Sequence, residues 1–121
     1  MRKILVTGGA GYIGSHTVVE LSAAGYTPII IDNLSNTSTK NIEGIEKIIG
    51  TKIKWYNTDC TNKADMQKVF TEEENIEGAI HFAAYKKVAE SVHNPQKYYD
   101  NNVGSLKVLL ECMRENMVKL M

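Results

Sequence analysis

A chain of 121 residues with 14 Lys plus Arg, 14 Asp plus Glu and a formal net charge of zero has the length of one domain and lacks the basic footprint of a nucleic-acid or anionic-membrane binder. Hydrophobic residues make up 43% and charged residues 23%, ordinary for a soluble globular protein. No apolar run approaches the roughly 20 residues of a membrane helix, Met1-Arg2-Lys3 leads straight into a strand without room for a signal peptide, and neither the two cysteines nor the three histidines have metal-like spacing.

Ile4-Leu5-Val6 reads as the first strand. It enters Thr7-Gly8-Gly9-Ala10-Gly11-Tyr12-Ile13-Gly14 and then Ser15-His16-Thr17-Val18-Val19-Glu20-Leu21. A strand, a glycine-rich turn and a helix are the setting in which such glycines bind a dinucleotide. Glycines permit the tight turn and let backbone N–H groups approach a pyrophosphate. The helix N-terminus adds unsatisfied donors and partial positive charge. Gly9-x-Gly11-x-x-Gly14 and Gly8-x-x-Gly11-x-x-Gly14 both fit, and the plain alternative is an ordinary turn.

Ile13, Val18, Leu21 and Ala24 give the first helix its apolar spacing, with Gly25 as its stop. Thr27-Pro28-Ile29-Ile30-Ile31-Asp32 is the second strand, apolar on both faces as in a covered parallel sheet. After the polar stretch from Asn33 to Asn41, Ile42, Ile45, Ile48 and Ile49 mark a short helix ending near Gly50. Ile53-Lys54-Trp55-Tyr56-Asn57 is a third strand with one less covered face. Asn62 can cap a helix containing Met66, Val69 and Phe70. Gly78-Ala79-Ile80-His81-Phe82-Ala83-Ala84 is a fourth strand and its exit. A last helix runs from about Gln96 towards Glu115, with Tyr99, Val103, Leu106, Leu110 and Met113 as its expected buried stripe.

This alternation predicts an α/β fold, a Rossmann-type parallel sheet with helices on both faces, truncated after about four strands. Residues 1–121 would form one incomplete NAD-binding domain. Residues 114–121 supply no recognisable strand, so the apolar fourth strand would be an exposed edge prone to self-association. Asp32 stands 18 residues after Gly14, where the dinucleotide fingerprint places an acidic residue on the adenosine ribose. A 2′-phosphate about 4 Å from that carboxylate would be repelled by roughly 4 kcal/mol at an effective dielectric near 20. Asn33 and Leu34 bring no compensating cation, which favours NAD over NADP; a solvated aspartate at a strand end is the plain alternative.

The residues from Thr7 to Thr17 resemble the opening of the extended short-chain dehydrogenases, and within them the UDP-glucose 4-epimerase family. Ile31-Asp32-Asn33-Leu34-Ser35-Asn36, Asp59-Cys60, Ile80-His81-Phe82-Ala83-Ala84, Lys86, Val88, Glu90-Ser91-Val92 and Tyr98-Tyr99-Asp100-Asn101-Asn102-Val103 extend the likeness along the whole chain. The resemblance implies NAD as cofactor. Gly8, Gly11 and Gly14 would form the phosphate turn, with the Tyr12 and Ile13 amides facing the pyrophosphate. Asp32, Asn33, Ser35 and Asn36 would surround the adenosine ribose. Asp59 by its side chain and Cys60 by its backbone would hold the adenine. Phe82, Ala83 and Ala84 would pass beneath the cofactor, with Lys86 and Asn101 beside its ribose and phosphates. Without the resemblance, Asp59 would read as a turn residue, Lys86 as a solvated lysine and Asn101 as an unremarkable helix residue.

The family implies transient oxidation of the sugar at C4, linking UDP-glucose and UDP-galactose in galactose metabolism. Its catalytic Tyr-x-x-x-Lys pair is not in this chain, since none of the six tyrosines has a lysine four residues later. No catalytic residue is therefore assigned, and the chain alone is expected to be inactive. A nucleotide-sugar substrate and a homodimeric parent in the cytoplasm are the further expectations, with no metal, nucleic acid or membrane. The alternatives are a related nucleotide-sugar epimerase, dehydratase or decarboxylase, or a non-catalytic dinucleotide-binding module.

Overall fold

The computed structural model describes residues 2–34, 39–73, 75–82, 95–116 and 119–120, with only the backbone of 95–102 and 119–120. Its elements in order are β1 (Lys3–Thr7), α1 (Tyr12–Ala23), β2 (Thr27–Ile31), α2 (Thr39–Ile49), β3 (Lys54–Tyr56), α3 (Lys63–Glu72), β4 (Ile76–His81), α4 (Pro95–Glu115) and β5 (Lys119–Leu120). The strands lie in the order β3-β2-β1-β4-β5, and each adjacent pair is parallel. This is the Rossmann-type arrangement, with the chain building outward from β1 first to one side and then to the other.

The alternation of side chains along a strand explains why β1 and β2 are apolar throughout. Leu5, Ile29 and Ile31 point to one face, where they meet Met66, Val69 and Phe70 of α3 and Leu109, Cys112 and Met113 of α4. Ile4, Val6 and Ile30 point to the other, against Val18 of α1 and Ile42 and Ile45 of α2. Both faces are thus covered, and all six strand residues are buried. At the edge, β3 leaves Lys54 exposed and only half-buries Trp55 and Tyr56. The Asn62 side chain accepts the Asp65 N–H at 3.1 Å and caps α3 as expected.

Two expectations are corrected. β4 is not an edge along its whole length, because Lys119 and Leu120 pair with Gly78 and Ala79. A two-residue strand is too short to carry a periodic signal in sequence. The buried stripe of α4 is also displaced by about one residue. Ser105, Leu109, Cys112 and Met113 are buried, whereas Val103, Leu106 and Leu110 are 48%, 39% and 43% exposed. Two interleaved apolar rows satisfy the same helical spacing, and in the buried one Leu109, Cys112 and Met113 pack with Met66, Val69 and Phe70 of α3. The exposed row, with Lys107, Glu111 and Arg114, lines an open groove of about 460 Å³.

At the N-terminal end of the sheet a single carboxylate joins three elements. Glu73, directly after α3, has a side chain only 4% exposed and lies 3.4 Å from Lys3 Nζ and 3.1 Å from Lys54 Nζ. The Tyr56 hydroxyl donates to the same carboxylate. Lys3 and Lys54 begin β1 and β3 on either side of β2. Burial by itself would raise the Glu73 carboxyl, but the hydrogen bonds from Tyr56, Lys54 and Lys3 outweigh it and hold the group below its ordinary value. Burial, and then Glu73 itself, push the Tyr56 hydroxyl upward, so it stays a donor.

Glu73→Gln is expected to cost about 1–3 kcal/mol at pH 7, the range for removing a charged partner from buried hydrogen bonds. A folded-state value below the unfolded value of about 4.3 stabilises above that pH, and the contribution disappears as pH falls through the folded value. Urea unfolding of the two proteins should therefore differ at pH 7 and converge in acid. A gap that does not narrow as the pH is lowered into the acid range would contradict this role.

Candidate functional site

Where β1 ends at Thr7, the chain turns through Gly8 at φ +69°. Gly8 N–H donates to the Ile31 carbonyl at 2.7 Å and Gly11 N–H to the Gly8 carbonyl at 3.1 Å, which closes the turn against β2. Helix α1 then starts almost on top of the turn. A Cβ on Gly14 would fall 2.1 Å from the Gly8 oxygen and 2.9 Å from Gly9 Cα, contacts no side chain can make. Gly11 caps α1 without a side-chain hydrogen bond, and no acidic residue occupies the first turn. Among the described residues no acceptor meets the N–H groups of Tyr12, Ile13 and Gly14. Tyr12 and Ile13 are themselves 81% and 54% exposed. Three open amides at the positive end of a helix suit a phosphate.

Asp32 follows β2 at the same end of the sheet. Its Oδ2 accepts the Ala10 N–H at 3.1 Å and its Oδ1 the Leu34 N–H at 2.8 Å. The second bond spans two residues and folds the chain as an Asx turn, which holds Leu34 at φ +60°, a conformation costly for a branched side chain. The Trp55 indole N–H donates to the Asp32 carbonyl at 3.0 Å from the other side. The half-buried carboxylate is thus aimed by its neighbours, with Asn33 exposed beside it.

The ends of β3 and β4 complete the rim. Asp59 Oδ1 accepts the Thr61 N–H at 2.9 Å and the Thr61 hydroxyl at 2.7 Å, so its side chain shapes its own turn. Cys60 is buried in the core, and burial, with Asp59 and Asp32 nearby, pushes its thiol up to about 12. That leaves its backbone as the part available to a ligand. Phe82 N–H donates to the Thr7 carbonyl at 2.9 Å and the Thr7 hydroxyl at 3.1 Å. Thr7 Oγ1 is 2.6 Å from His81 Nδ1, and Ser105 Oγ is 3.5 Å from His81 Nε2.

Gly8, Gly11, Tyr12, Ile13, Gly14 and Asp32 therefore form one contiguous surface at the C-terminal edge, where β2 and β4 diverge from β1. Asn33, Asp59, Cys60 and Phe82 flank it on the same edge. Ser35, Asn36, Ala83, Ala84 and Lys86 lie outside the described residues, as does the side chain of Asn101; its backbone belongs to α4. Sequence reasoning passed over Asn41, whose Nδ2 donates to the Ala10 carbonyl at 2.8 Å. It also passed over the Trp55 bond and the Thr7–His81 pair. A polar residue in the first turn after a strand end is the only local hint of Asn41. Glycines that admit no side chain, open helix amides and an acid at the end of β2 fit a dinucleotide.

Residues 5–120 match a family model described as GDP-mannose 4,6 dehydratase. UDP-glucose 4-epimerase of Dictyostelium discoideum is 50% identical over 117 residues, covering 97% of this chain and 34% of its own length. The Haemophilus influenzae UDP-glucose 4-epimerase is 50% identical over 112 residues, covering 93% of this chain and 33% of its own. The Bifidobacterium longum UDP-glucose 4-epimerase, solved in complex with NAD+ and UDP, superposes with a TM-score of 0.93 at 46% identity over 98% of this chain and 35% of that one. The chain spans about a third of the length of the curated relatives it matches.

The glycine geometry separates two alanine substitutions. Gly14→Ala forces the turn apart and is expected to cost at least about 1–3 kcal/mol, the scale of overpacking. Gly44→Ala, in the middle of α2 with nothing within 4 Å of the added carbon, is expected to stabilise by about 0.5–1 kcal/mol. Denaturant unfolding of both variants measures the contrast, and equal effects would refute the close-packed turn.

Proposed function

This chain belongs to the GDP-mannose 4,6 dehydratase family, and from that premise we propose that it forms the NAD-binding part of a UDP-glucose 4-epimerase of galactose metabolism. The observation that carries the reading is the glycine turn packed under three open α1 amides, with Asp32 hydrogen-bonded to that turn. The 50% identity to epimerases supports this reaction over that of a sibling dehydratase. Residues 1–121 are assigned to the one cofactor domain.

In this reading the amides of Tyr12, Ile13 and Gly14 neutralise the pyrophosphate. Asp32, Asn33, Ser35 and Asn36 receive the adenosine ribose. Asp59 and the Cys60 backbone meet the adenine, and Phe82, Ala83, Ala84, Lys86 and Asn101 line the remaining path. NAD, when bound, supplies the hydride acceptor and donor for C4 of the sugar. The chain has no Tyr-x-x-x-Lys pair to move the sugar hydroxyl proton, so these residues alone do not turn over UDP-galactose. A homodimeric parent protein is part of the same reading.

Calorimetric titration should show NAD binding with NADP much weaker. Asp32→Ala should weaken NAD by roughly 10- to 100-fold, the value of a lost charge-assisted hydrogen bond, and bring the two affinities closer. An unchanged NAD to NADP ratio would overturn the role of Asp32. Measurable UDP-galactose turnover by the purified 121-residue chain would overturn the assignment of catalysis to residues outside it.

A further inference from the structure

Ala10 sits in the middle of the glycine turn and is fully buried, yet neither of its backbone polar groups bonds to the turn itself. Its N–H is taken by Asp32 Oδ2 at 3.1 Å and its carbonyl by Asn41 Nδ2 at 2.8 Å. Both partners come from the next crossover, one at the end of β2 and the other in the first turn of α2. The Ala10–Gly11 peptide is gripped at both ends, because the Gly11 N–H donates to the Gly8 carbonyl at 3.1 Å. Helix α2 is in turn fixed to the sheet by the buried Ile42 and Ile45. Asn41 therefore stands next to an immobile anchor, and its carboxamide carries the position of α2 to the turn.

We propose that Asn41 is a positioning residue for the dinucleotide, holding the Ala10 carbonyl so that the turn is set before the cofactor arrives. The proposal rests on the cofactor reading above, and the residue touches neither phosphate nor ribose in this role. A turn already set requires no ordering on binding, so part of the association cost is removed. Loss of the donor leaves a buried carbonyl unpaired and frees the Ala10–Gly11 peptide to rotate.

The test compares four forms of the protein well below their unfolding temperatures. NAD affinity is measured by calorimetry, and exchange of peptides spanning residues 8–14 by mass spectrometry without cofactor. Asn41→Ala should weaken NAD about 3- to 10-fold, the equivalent of one neutral hydrogen bond, and speed exchange in the turn. Asn41→Asp keeps the shape and suits a helix N-terminus, but sets an acceptor against the Ala10 carbonyl; it should bind NAD no better than Asn41→Ala. Glu73→Gln, destabilised at the far end of the sheet, should retain parental affinity and turn exchange. A purely structural role would make affinity follow stability, so Glu73→Gln would weaken with the others and Asn41→Asp would outperform Asn41→Ala. That pattern, or parental affinity in Asn41→Ala, overturns the proposal. If the parent protein itself does not bind NAD, the cofactor reading fails instead. The clamp is then judged by exchange alone, and unchanged exchange in Asn41→Ala refutes it.

Discussion

The constraint on which the rest of this molecule depends is the contact between Gly14 and Gly8. Because a Cβ on Gly14 would lie 2.1 Å from the Gly8 oxygen, α1 can start directly above the end of β1. That approach brings the first-turn amides of α1 to the rim of the sheet. It also lets Val18 reach the face where Ile4, Val6 and Ile30 lie. A larger residue at Gly14 would lift the helix, uncovering that face and moving the amides away from Asp32. Helix packing and the exposure of the first amides thus make the same demand on Gly14.

The two ends of the sheet carry opposite solutions to the problem of buried polar groups. At the N-terminal end Glu73 receives two lysines and a tyrosine, so the carboxylate is satisfied from within the fold. At the C-terminal end the Tyr12, Ile13 and Gly14 amides meet no acceptor among the described residues. The first arrangement ties strands β1 and β3 to the end of α3 and leaves nothing to offer. The second keeps donors available, and the groups around it serve to hold its shape. Asp32 illustrates this, because it is fixed by Leu34 and Ala10 while its backbone carbonyl is held by Trp55.

Much of this was legible in the sequence because the relevant signals are local. Continuous apolar runs marked β1 and β2, Asn62 marked the start of α3, and Gly25 and Gly50 marked the ends of two helices at φ +91° and +78°. Asp32 was placed at the end of the second strand, and it does directly follow β2. The outward row of α4 was not legible, since Val103, Leu106 and Leu110 repeat with the same period as the row that is buried. β5 was equally hidden, because two residues have no period and acquire strand geometry only by pairing with Gly78 and Ala79.

By itself, then, the sequence determined the order of the elements, the parallel sheet covered on both faces and the chemistry of the glycine turn. Each follows from residue type and short-range spacing, which act before the chain has folded. Only the tertiary structure decided which face of α4 is buried, what covers part of β4, and how Glu73 and Asn41 are used. Those outcomes join residues far apart in the chain, such as Lys3 with Glu73 and Ala10 with Asn41. Their partners exist only once the sheet has brought them within hydrogen-bonding distance.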